Sequence, residues 1–324
     1  MVIIDQIKFF DITQKFEIVP FSQLKGMYDF HALLGSNRIQ FLVNDIINPT
    51  IACFGHVKKI LNKKMIQIEG ECYAKINDIN IENIRDFYSD ICQLGYDFIE
   101  VCSNSEYNFD YEIALRQAGY LRPVGQFSIP NTKIIDLTQE IRFNRNWKRN
   151  IKKALDNELI FEIIDEPSLN DCEDFEKIYR QMSGRKSMSY FLSVKQIQSL
   201  CKTKDFQLFF VLHANIRIAG IIIYKRRAHA GGGFAATNNI ALNLSASFFM
   251  YNALFDYLSQ NNFKTFDMEK LVPSTKSVNS VFLFKNGVEG KHIVLNGEWS
   301  WYKKDFYRPL MYFVKKYLMK KREL

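Results

Sequence analysis

One pattern occurs twice in this 324-residue chain and constrains its fold more than any other feature. Each copy has a helix with an apolar stripe, a short strand ending in an acidic residue, a second helix, and then glycine followed by an apolar residue. The first copy spans 84–120 with its strand at 96–100, and the second spans 248–288 with its strand at 265–269. Because the spacing from acid to closing glycine is nearly equal, the pattern predicts two related halves.

Composition allows a sizeable core in each half. Apolar residues make up 47% of the chain and aromatic residues 15%, which predicts a globular protein. The N-terminus meets acid and amide before any run typical of a signal peptide, and the strongest apolar run, 218–224, is too short to cross a bilayer. We therefore expect no membrane crossing.

The six cysteines form no C-x-x-C pair, and most lie in apolar stretches. This favours free buried thiols over disulfides or a metal site, so we predict a cytoplasmic protein without a metal. The net charge of +8 favours anionic partners, among them phosphates, nucleotides, RNA and a membrane surface. Charge alone does not choose among them, and nothing in the sequence indicates DNA.

The order of predicted elements indicates a mixed α/β (α+β) protein. Residues 1–75 suit an antiparallel meander of strands, followed by a helix at 81–93. A connector with proline and glycine covers 123–136. The second half predicts helices at 143–156 and 171–183, strands at 206–212, 216–226 and 229–236, and a helix at 245–259.

This order resembles the acyl-CoA N-acyltransferase (GNAT) fold, and two such units in tandem resemble the FemABX peptidyltransferases and their relatives that acylate amino sugars. The matching segments are 149–154, 217–220, Phe266-Asp267 and Phe284-Lys285. The resemblance implies mixed sheets flanked by helices. It also implies a GNAT-like domain at 1–133, a catalytic GNAT-like domain at 134–302, and a basic amphipathic helix at 303–324.

As function, the resemblance implies an N-acyltransferase that moves an acyl group from acyl-CoA to the amine of a nucleotide-linked amino sugar for surface polysaccharide synthesis. A FemX-like aminoacyl-tRNA-dependent transferase acting on an envelope precursor is the alternative. The chain lacks the long helical arm of some family members and the glycines of the usual GNAT phosphate loop, so either donor remains open. A non-catalytic binder of RNA or a membrane surface is the rival from another class. No tightly bound cofactor is expected.

Lys285 is the first catalytic candidate, because the family carries a functional Phe-Lys pair where this chain has Phe284 and Lys285. A cation there would stabilise an oxyanion or hold a donor phosphate. Phe284 is predicted to contact substrate. A solvated lysine before a helix-ending glycine is the structural alternative.

Asp267 and Glu269 stand two apart on a predicted strand, so both side chains point to one face. Either carboxylate would accept the proton of an attacking amine, since partial burial raises the pKa of a carboxyl group. The alternative is an acid that caps the strand end or pairs with Lys270.

His229 opens a strand with three consecutive glycines, Gly231, Gly232 and Gly233. Glycines in a strand allow close approach of a ligand, and the resemblance implies that this backbone holds the donor's acyl group. A bulge without a ligand is the alternative. We include His229 among the catalytic candidates. Phe234 and Thr237, further along this strand, are predicted to contact substrate.

Two further segments complete the predicted site. Arg185 and Lys186 form a basic loop followed by Tyr190, which resembles the family segment that binds the acceptor's diphosphate; solvated surface charge is the alternative. The segment 238–245 replaces the phosphate loop, and its polar side chains are predicted to hold the donor: Asn238, Asn243 and Ser245.

The segment 303–322 carries eight lysines or arginines among apolar residues, which predicts an amphipathic basic helix. Two explanations are open. The helix packs its apolar face on the body of the protein, or it rests on the inner face of an anionic membrane.

Overall fold

The computed structural model describes residues 1–33, 38–60, 62–188, 191–273 and 280–319. The chain forms two compact units. Unit 1 contains Met1–Asn131 and the chain from Ile293 onward, and unit 2 contains Thr132–His292. Within each unit the strands pair with one another and an apolar core is buried.

Unit 1 begins with an antiparallel meander. Its elements up to residue 131 are β1 (Val2–Ile4), α1 (Gln6–Thr13), α2 (Lys25–Ala32), β2 (Arg38–Val43), β3 (Ile51–Ile60), β4 (Lys63–Ile68), β5 (Cys72–Tyr73), α3 (Ile81–Cys92), β6 (Phe98–Glu106) and α4 (Phe109–Gln117). Asn80 caps α3 by accepting a hydrogen bond from the Asn83 amide, and α3 buries Ile84, Tyr88 and Ile91.

Unit 2 follows the same plan with longer strands. Its elements are β7 (Asn131–Asp136), α5 (Arg145–Leu155), β8 (Ile160–Ile164), α6 (Leu169–Arg185), α7 (Val194–Cys201), β9 (Phe206–His213), β10 (Ile216–Arg226), β11 (His229–Thr237), α8 (Asn239–Asn243), α9 (Ala246–Gln260), β12 (Thr265–Asp267) and α10 (Ser280–Asn286). Three of the last elements return to unit 1: β13 (Lys291–Tyr302), α11 (Tyr307–Phe313) and a π-helical turn at Val314–Leu318.

The two sheets share one topology. In unit 1 the strand order is β1-β2-β3-β4-β6-β13, with β5 beside β3. In unit 2 it is β7-β12-β11-β10-β9-β8. Each sheet contains an antiparallel meander followed by one parallel pair, β4 with β6 and β11 with β12, and a helix connects the two strands of each pair. The predicted pair of mixed α/β units is therefore confirmed.

The structure corrects three details of the sequence analysis. Glu100 lies inside β6, which continues to Glu106, so the first acidic strand does not end there. Residues 293–302 belong to unit 1 instead of the predicted domain 134–302, because β13 pairs with β6. The helix predicted at 303–324 begins at Tyr307 and packs on unit 1, where Tyr307, Met311 and Val314 are buried with Phe98.

Three further features concern the cysteines, metal-binding groups and the helices. All six cysteines are free thiols, as predicted. Within the described ranges, no group of histidine, cysteine or acidic side chains is arranged to hold a metal ion. Across the same residues, every helix is too short or too polar to pass through a bilayer.

Candidate active site

A polar cluster lies in unit 2 where its parallel strands part. The pairing of β11 with β12 ends at Gly231 opposite Asp267, although β11 continues to Thr237. Two residues after the last pair, the backbone of Glu269 has a φ of 62°. A side chain other than glycine adopts this left-handed conformation only at a cost of roughly 1–3 kcal/mol, and such residues concentrate at functional sites.

Hydrogen bonds hold the first carboxylate of the cluster. Asp267 Oδ1 accepts a bond from the Thr132 hydroxyl and another, of 2.7 Å, from the Glu269 amide. The Met268 amide donates to the Lys133 carbonyl at 2.9 Å. These contacts fix the end of β12 against β7, and they require the left-handed turn that directs Glu269.

Tyr224 joins the two acids from the neighbouring strand. Its hydroxyl forms hydrogen bonds with the carboxyl groups of both Asp267 and Glu269. Tyr224 pairs with Gly231 in the sheet, and a Cβ atom on Gly231 would lie 2.3 Å from the tyrosine ring. Gly231 therefore leaves room for Tyr224 beside the acids.

Burial perturbs both acids. It raises the pKa of Glu269 to about 8, and the charge of Asp267 acts in the same direction, while Lys285 and Lys270 oppose it. Burial also raises the pKa of Asp267. Two carboxyl groups that contact the same hydroxyl oppose each other's ionisation, which is the direction in which Asp267 acts on Glu269.

Lys285 supplies the positive charge beside these acids. Its Nζ atom donates to the carbonyl oxygens of Glu269 at 3.1 Å and Lys270 at 2.9 Å. Burial lowers the pKa of Lys285, and the two nearby carboxylates partly offset that effect. Among the described residues, these contacts use two of the three N–H bonds of the ammonium group.

The helix α10 that carries Lys285 is held by an aromatic cluster. Phe284, predicted to contact substrate, packs its ring 4.7 Å from that of Trp147 and 5.2 Å from that of Tyr251. The Trp147 indole donates to the Phe284 carbonyl at 2.7 Å. A Cβ atom on Gly287 would lie 2.2 Å from Trp147. Phe284 thus positions Lys285 by packing.

The structure brings Lys285, Asp267 and Glu269 together, whereas His229 lies apart from them. His229 is exposed at the start of β11 and forms a 2.7 Å hydrogen bond with the Thr265 hydroxyl. Its register partner is Thr265, two residues before Asp267. This position suits a surface contact better than proton transfer within the acid pair.

The predicted glycines do different things. Gly231 accommodates Tyr224, as described above. Gly233 is the extra residue of a bulge, where a Cβ atom would lie 2.9 Å from the Ile222 carbonyl oxygen. At Gly232 the nearest atoms include Glu269 Cγ at 3.9 Å, so this glycine lines the acid cluster without a close contact.

Arg185 and Thr237 come together at the far end of β11. Arg185 ends helix α6 instead of lying in the predicted loop, and its guanidinium donates to the Thr237 carbonyl at 3.0 Å and to Asn239 Oδ1 at 2.9 Å. Lys186 follows as the C-cap of that helix. Phe234 of β11 has its ring 6.5 Å from that of Tyr179. The predicted site residue Tyr190 lies outside the described residues.

The segment predicted to replace the phosphate loop is the short helix α8. Asn238 caps it by accepting from the Ala241 amide at 2.9 Å, and Asn243 is its last residue. Ser245 follows in the left-handed conformation, and its hydroxyl donates to Asn150 Oδ1 at 3.0 Å. The side chains of Asn238 and Ser245 therefore bind the backbone of α8 and a side chain of α5.

Sequence reasoning missed two members of the cluster. Tyr224 is hidden in the apolar run of β10, although a glycine opposite an aromatic residue in a hairpin was a readable signal. Thr132 lies in β7, far from β12 in the sequence, and only the pairing of the two strands, with Asp267 opposite Ile134, brings it beside Asp267. Long-range strand pairing of this kind has no local signature.

Comparison with known proteins shows the fold. No protein-family model matches the sequence, and no curated protein matches it. Among solved structures, the crystal structure of FemX matches with a TM-score of 0.74 and 12% identity, covering 96% of this chain and 99% of that one. L-PGS from Bacillus licheniformis matches with a TM-score of 0.66 and 14% identity, covering 98% of both chains. The predicted tandem GNAT-like fold of FemABX-type proteins is therefore confirmed.

Proposed function

We propose that unit 2 transfers an acyl or aminoacyl group to a primary amine. The observation that carries this proposal is the buried pair of Asp267 and Glu269 beside Lys285, with the pKa of Glu269 raised to about 8. A carboxylate with a pKa near that of the solution accepts a proton efficiently, and a neighbouring ammonium group stabilises an oxyanion. Amide formation needs both.

The proposed reaction assigns one step to each group. The acceptor reacts as the neutral amine: its nitrogen attacks the carbonyl carbon of the donor to form the new C–N bond, and Glu269 accepts the proton that this nitrogen loses. The remaining N–H bond of Lys285 is directed at the oxyanion of this intermediate. When the bond from the carbonyl carbon to the donor's ester oxygen or thioester sulfur breaks, Glu269 returns the proton to the leaving group.

The donor we favour is an aminoacyl-tRNA, ahead of the acyl-CoA that the sequence analysis placed first. A CoA pyrophosphate needs free backbone amides at a glycine-rich turn, but Asn238 already caps α8 and Arg185 binds Asn239 there. The helix α5, which contacts Ser245 just after α8, exposes five cationic side chains: Arg145, Lys148, Arg149, Lys152 and Lys153. Such a face attracts a phosphate backbone.

The helix α5 is also close to the catalytic cluster by its inner face. Trp147 of α5 contacts Phe284, the neighbour of Lys285, and Asn150 accepts a hydrogen bond from Ser245. A polyanion on the outer face of α5 would therefore lie one helix away from Lys285. As acceptor we keep the amine of a nucleotide-linked amino sugar or an envelope precursor, which rests on the family resemblance.

The test is a reconstituted transfer reaction. The intact protein is incubated with a mixture of aminoacyl-tRNAs or with a set of acyl-CoAs, each with nucleotide-linked amino sugars and peptidoglycan precursors, and new amides are identified by mass spectrometry. We expect products with aminoacyl-tRNA and their loss in Glu269→Gln. The matched control is Glu82→Gln, which changes an exposed carboxylate on α3 of unit 1.

Other outcomes separate the alternatives. Products from acyl-CoA alone would replace the proposed donor and retain the reaction. A rise in melting temperature with tRNA but no product from any combination would support a non-catalytic RNA binder. Equal turnover of Glu269→Gln and the parent protein would refute the assignment of Glu269.

A further inference from the structure

The final helix of unit 1 is fixed to the protein by one of its faces. Tyr307, Met311 and Val314 are buried in a cluster with Met65 and Phe98. Lys315 forms a buried ion pair with Glu100 of β6, with 2.8 Å between Nζ and Oε1. This face of the helix packs on the body of the protein, which was the first of the two explanations for the basic segment. The opposite face is not explained by this packing.

A second apolar face points into solvent. Phe313, Tyr317 and Leu318 are 54%, 60% and 70% exposed, and Phe306, just before the helix, is 59% exposed. The rings of Phe313 and Tyr317 stack with their centroids 5.9 Å apart. Single exposed apolar residues are common on proteins, but a contiguous stripe on a helix outer face indicates a binding surface.

Lysines lie on the same helix and beside it, and the Lys316 ammonium is 5.9 Å from the centre of the Tyr317 ring. Ile60, at the end of β3, packs on the same cluster as the buried face, and the Lys63 ammonium lies 6.0 Å from the centre of the Tyr307 ring. Lys59, the residue before Ile60, is exposed, as are Lys303 and Lys304 just before the helix, and Asp305 lies between these two and the helix in the sequence. The sequence then continues through Lys320, Lys321 and Arg322.

We propose that this C-terminal surface, the stripe of Phe306, Phe313, Tyr317 and Leu318 with its surrounding lysines, docks on an anionic lipid bilayer. Aromatic and aliphatic side chains at this spacing enter the boundary between headgroups and acyl chains, while lysines contact lipid phosphates. The proposal is independent of the reaction proposed for unit 2.

Charge favours a bilayer over the other occupants. A second copy of this chain, docked by the same surface, would bring the lysines of both copies together, and like charges oppose such a symmetric contact. An RNA backbone would be attracted by the lysines but gains nothing from Leu318. Anionic lipid matches both the lysines and the apolar stripe.

The test is sedimentation of the intact protein with vesicles of phosphatidylcholine alone or mixed with phosphatidylglycerol. We expect binding to the mixed vesicles only, weakened by added salt. In the double variant Phe313→Ser, Leu318→Ser, binding should fall by about tenfold or more because two large apolar groups no longer enter the bilayer. The melting temperature should not change, since both side chains are largely exposed.

The matched control is Ile47→Ser. Ile47 is 82% exposed in the turn between β2 and β3, at the opposite end of β3 from Lys59, about 30 Å away for a strand of this length. This variant should bind as the parent does. Failure of the parent protein to bind mixed vesicles, or equal binding by the double variant, would overturn the proposal. So would a dimer in solution that the double variant dissociates, because it would assign the surface to a second copy.

Discussion

Both units place a carboxyl group where their parallel strands part, but its surroundings differ. In unit 1, Glu71 follows β4 and is fully buried, and its carboxylate accepts hydrogen bonds from Tyr88 at 2.7 Å, Tyr73 at 2.9 Å and Ser103 at 3.3 Å. In unit 2, Asp267 and Glu269 share their space with Lys285.

The two units share one topology, but the acids in them have different kinds of neighbours. Hydroxyl groups occupy the lone pairs of Glu71, so this acid serves to connect β4, β6 and α3. Burial raises its pKa, which those hydrogen bonds partly offset. In unit 2 the charge of Asp267 raises the pKa of Glu269, and the charge of Lys285 lowers it. The acids also sit on different strands of the shared plan, because Glu71 follows β4, the first strand of its parallel pair, whereas Asp267 ends β12, the second strand of its pair.

The closing glycines of the two copies diverge in the same way. Gly119 has a φ of 85°, and the nearest atoms to an added Cβ, in Trp301, lie 3.6 Å away. It follows α4 in the left-handed conformation that glycine adopts most easily. Gly287 makes room for Trp147 instead. One sequence pattern therefore satisfies a backbone requirement in unit 1 and a packing requirement in unit 2.

Lys285→Ala should produce the largest effect. Removing the cation beside the acids should lower kcat by roughly two to three orders of magnitude, with little change in melting temperature. The control in unit 1 is Arg116→Ala, which removes an exposed cation from the last turn of α4. We expect that variant to keep its turnover. Similar losses of kcat in both variants would contradict the proposal that unit 2 carries the reaction.

Glu71→Gln should affect stability and spare the reaction. The amide has one acceptor oxygen in place of two, so buried hydroxyl groups lose their partner and the free energy of unfolding should fall by about 3 kcal/mol. Denaturant unfolding measures this loss, and kcat of the folded fraction should stay near the parent value. A large fall in kcat without destabilisation would give Glu71 a role in the chemistry.

Gly287→Ala and Gly119→Ala should separate the two glycines. The first must displace the buried Trp147 indole, for which we expect a loss of about 2–3 kcal/mol in the free energy of unfolding. The second only forces alanine into a left-handed conformation, for a loss of about 1 kcal/mol. Thermal or denaturant unfolding of both variants decides the point, and equal losses would contradict it.

Asp267→Asn should have the smallest effect, a shift in pH dependence. The activity should depend on the deprotonated form of Glu269, so kcat/KM of the parent should rise with pH through an apparent pKa of about 8. Because the charge of Asp267 raises the pKa of Glu269, the neutral amide should move this rise to lower pH. A pH–rate profile that keeps its midpoint would remove Asp267 from the acid pair.

Much of the fold could be predicted from the sequence because its signals are local. Helical and strand periodicity located α3, β9, β10, β11 and α9, and the repeated pattern predicted the duplication. The pairing of β13 with β6 could not be predicted, because its partners are about two hundred residues apart and no local feature encodes their contact. The domain limits near residue 302 therefore differed from the structure.

For the site, the sequence located the acids and the lysine but missed their environment. Asp267, Glu269 and Lys285 stood out through their spacing and the family resemblance. Tyr224 reads as one more apolar position in β10, and Glu71 follows a glycine outside any periodic element. The burial that perturbs these groups arises from tertiary packing, which residue spacing does not record.

The path of the chain, which leaves unit 1 at Asn131 and re-enters it at Ile293, has a consequence during synthesis. Unit 2 is one continuous segment of the chain, so its strands can pair as soon as that segment has emerged from the ribosome. In unit 1, one edge of β6 lacks its partner strand until β13 has been translated. The unit made first is therefore completed last.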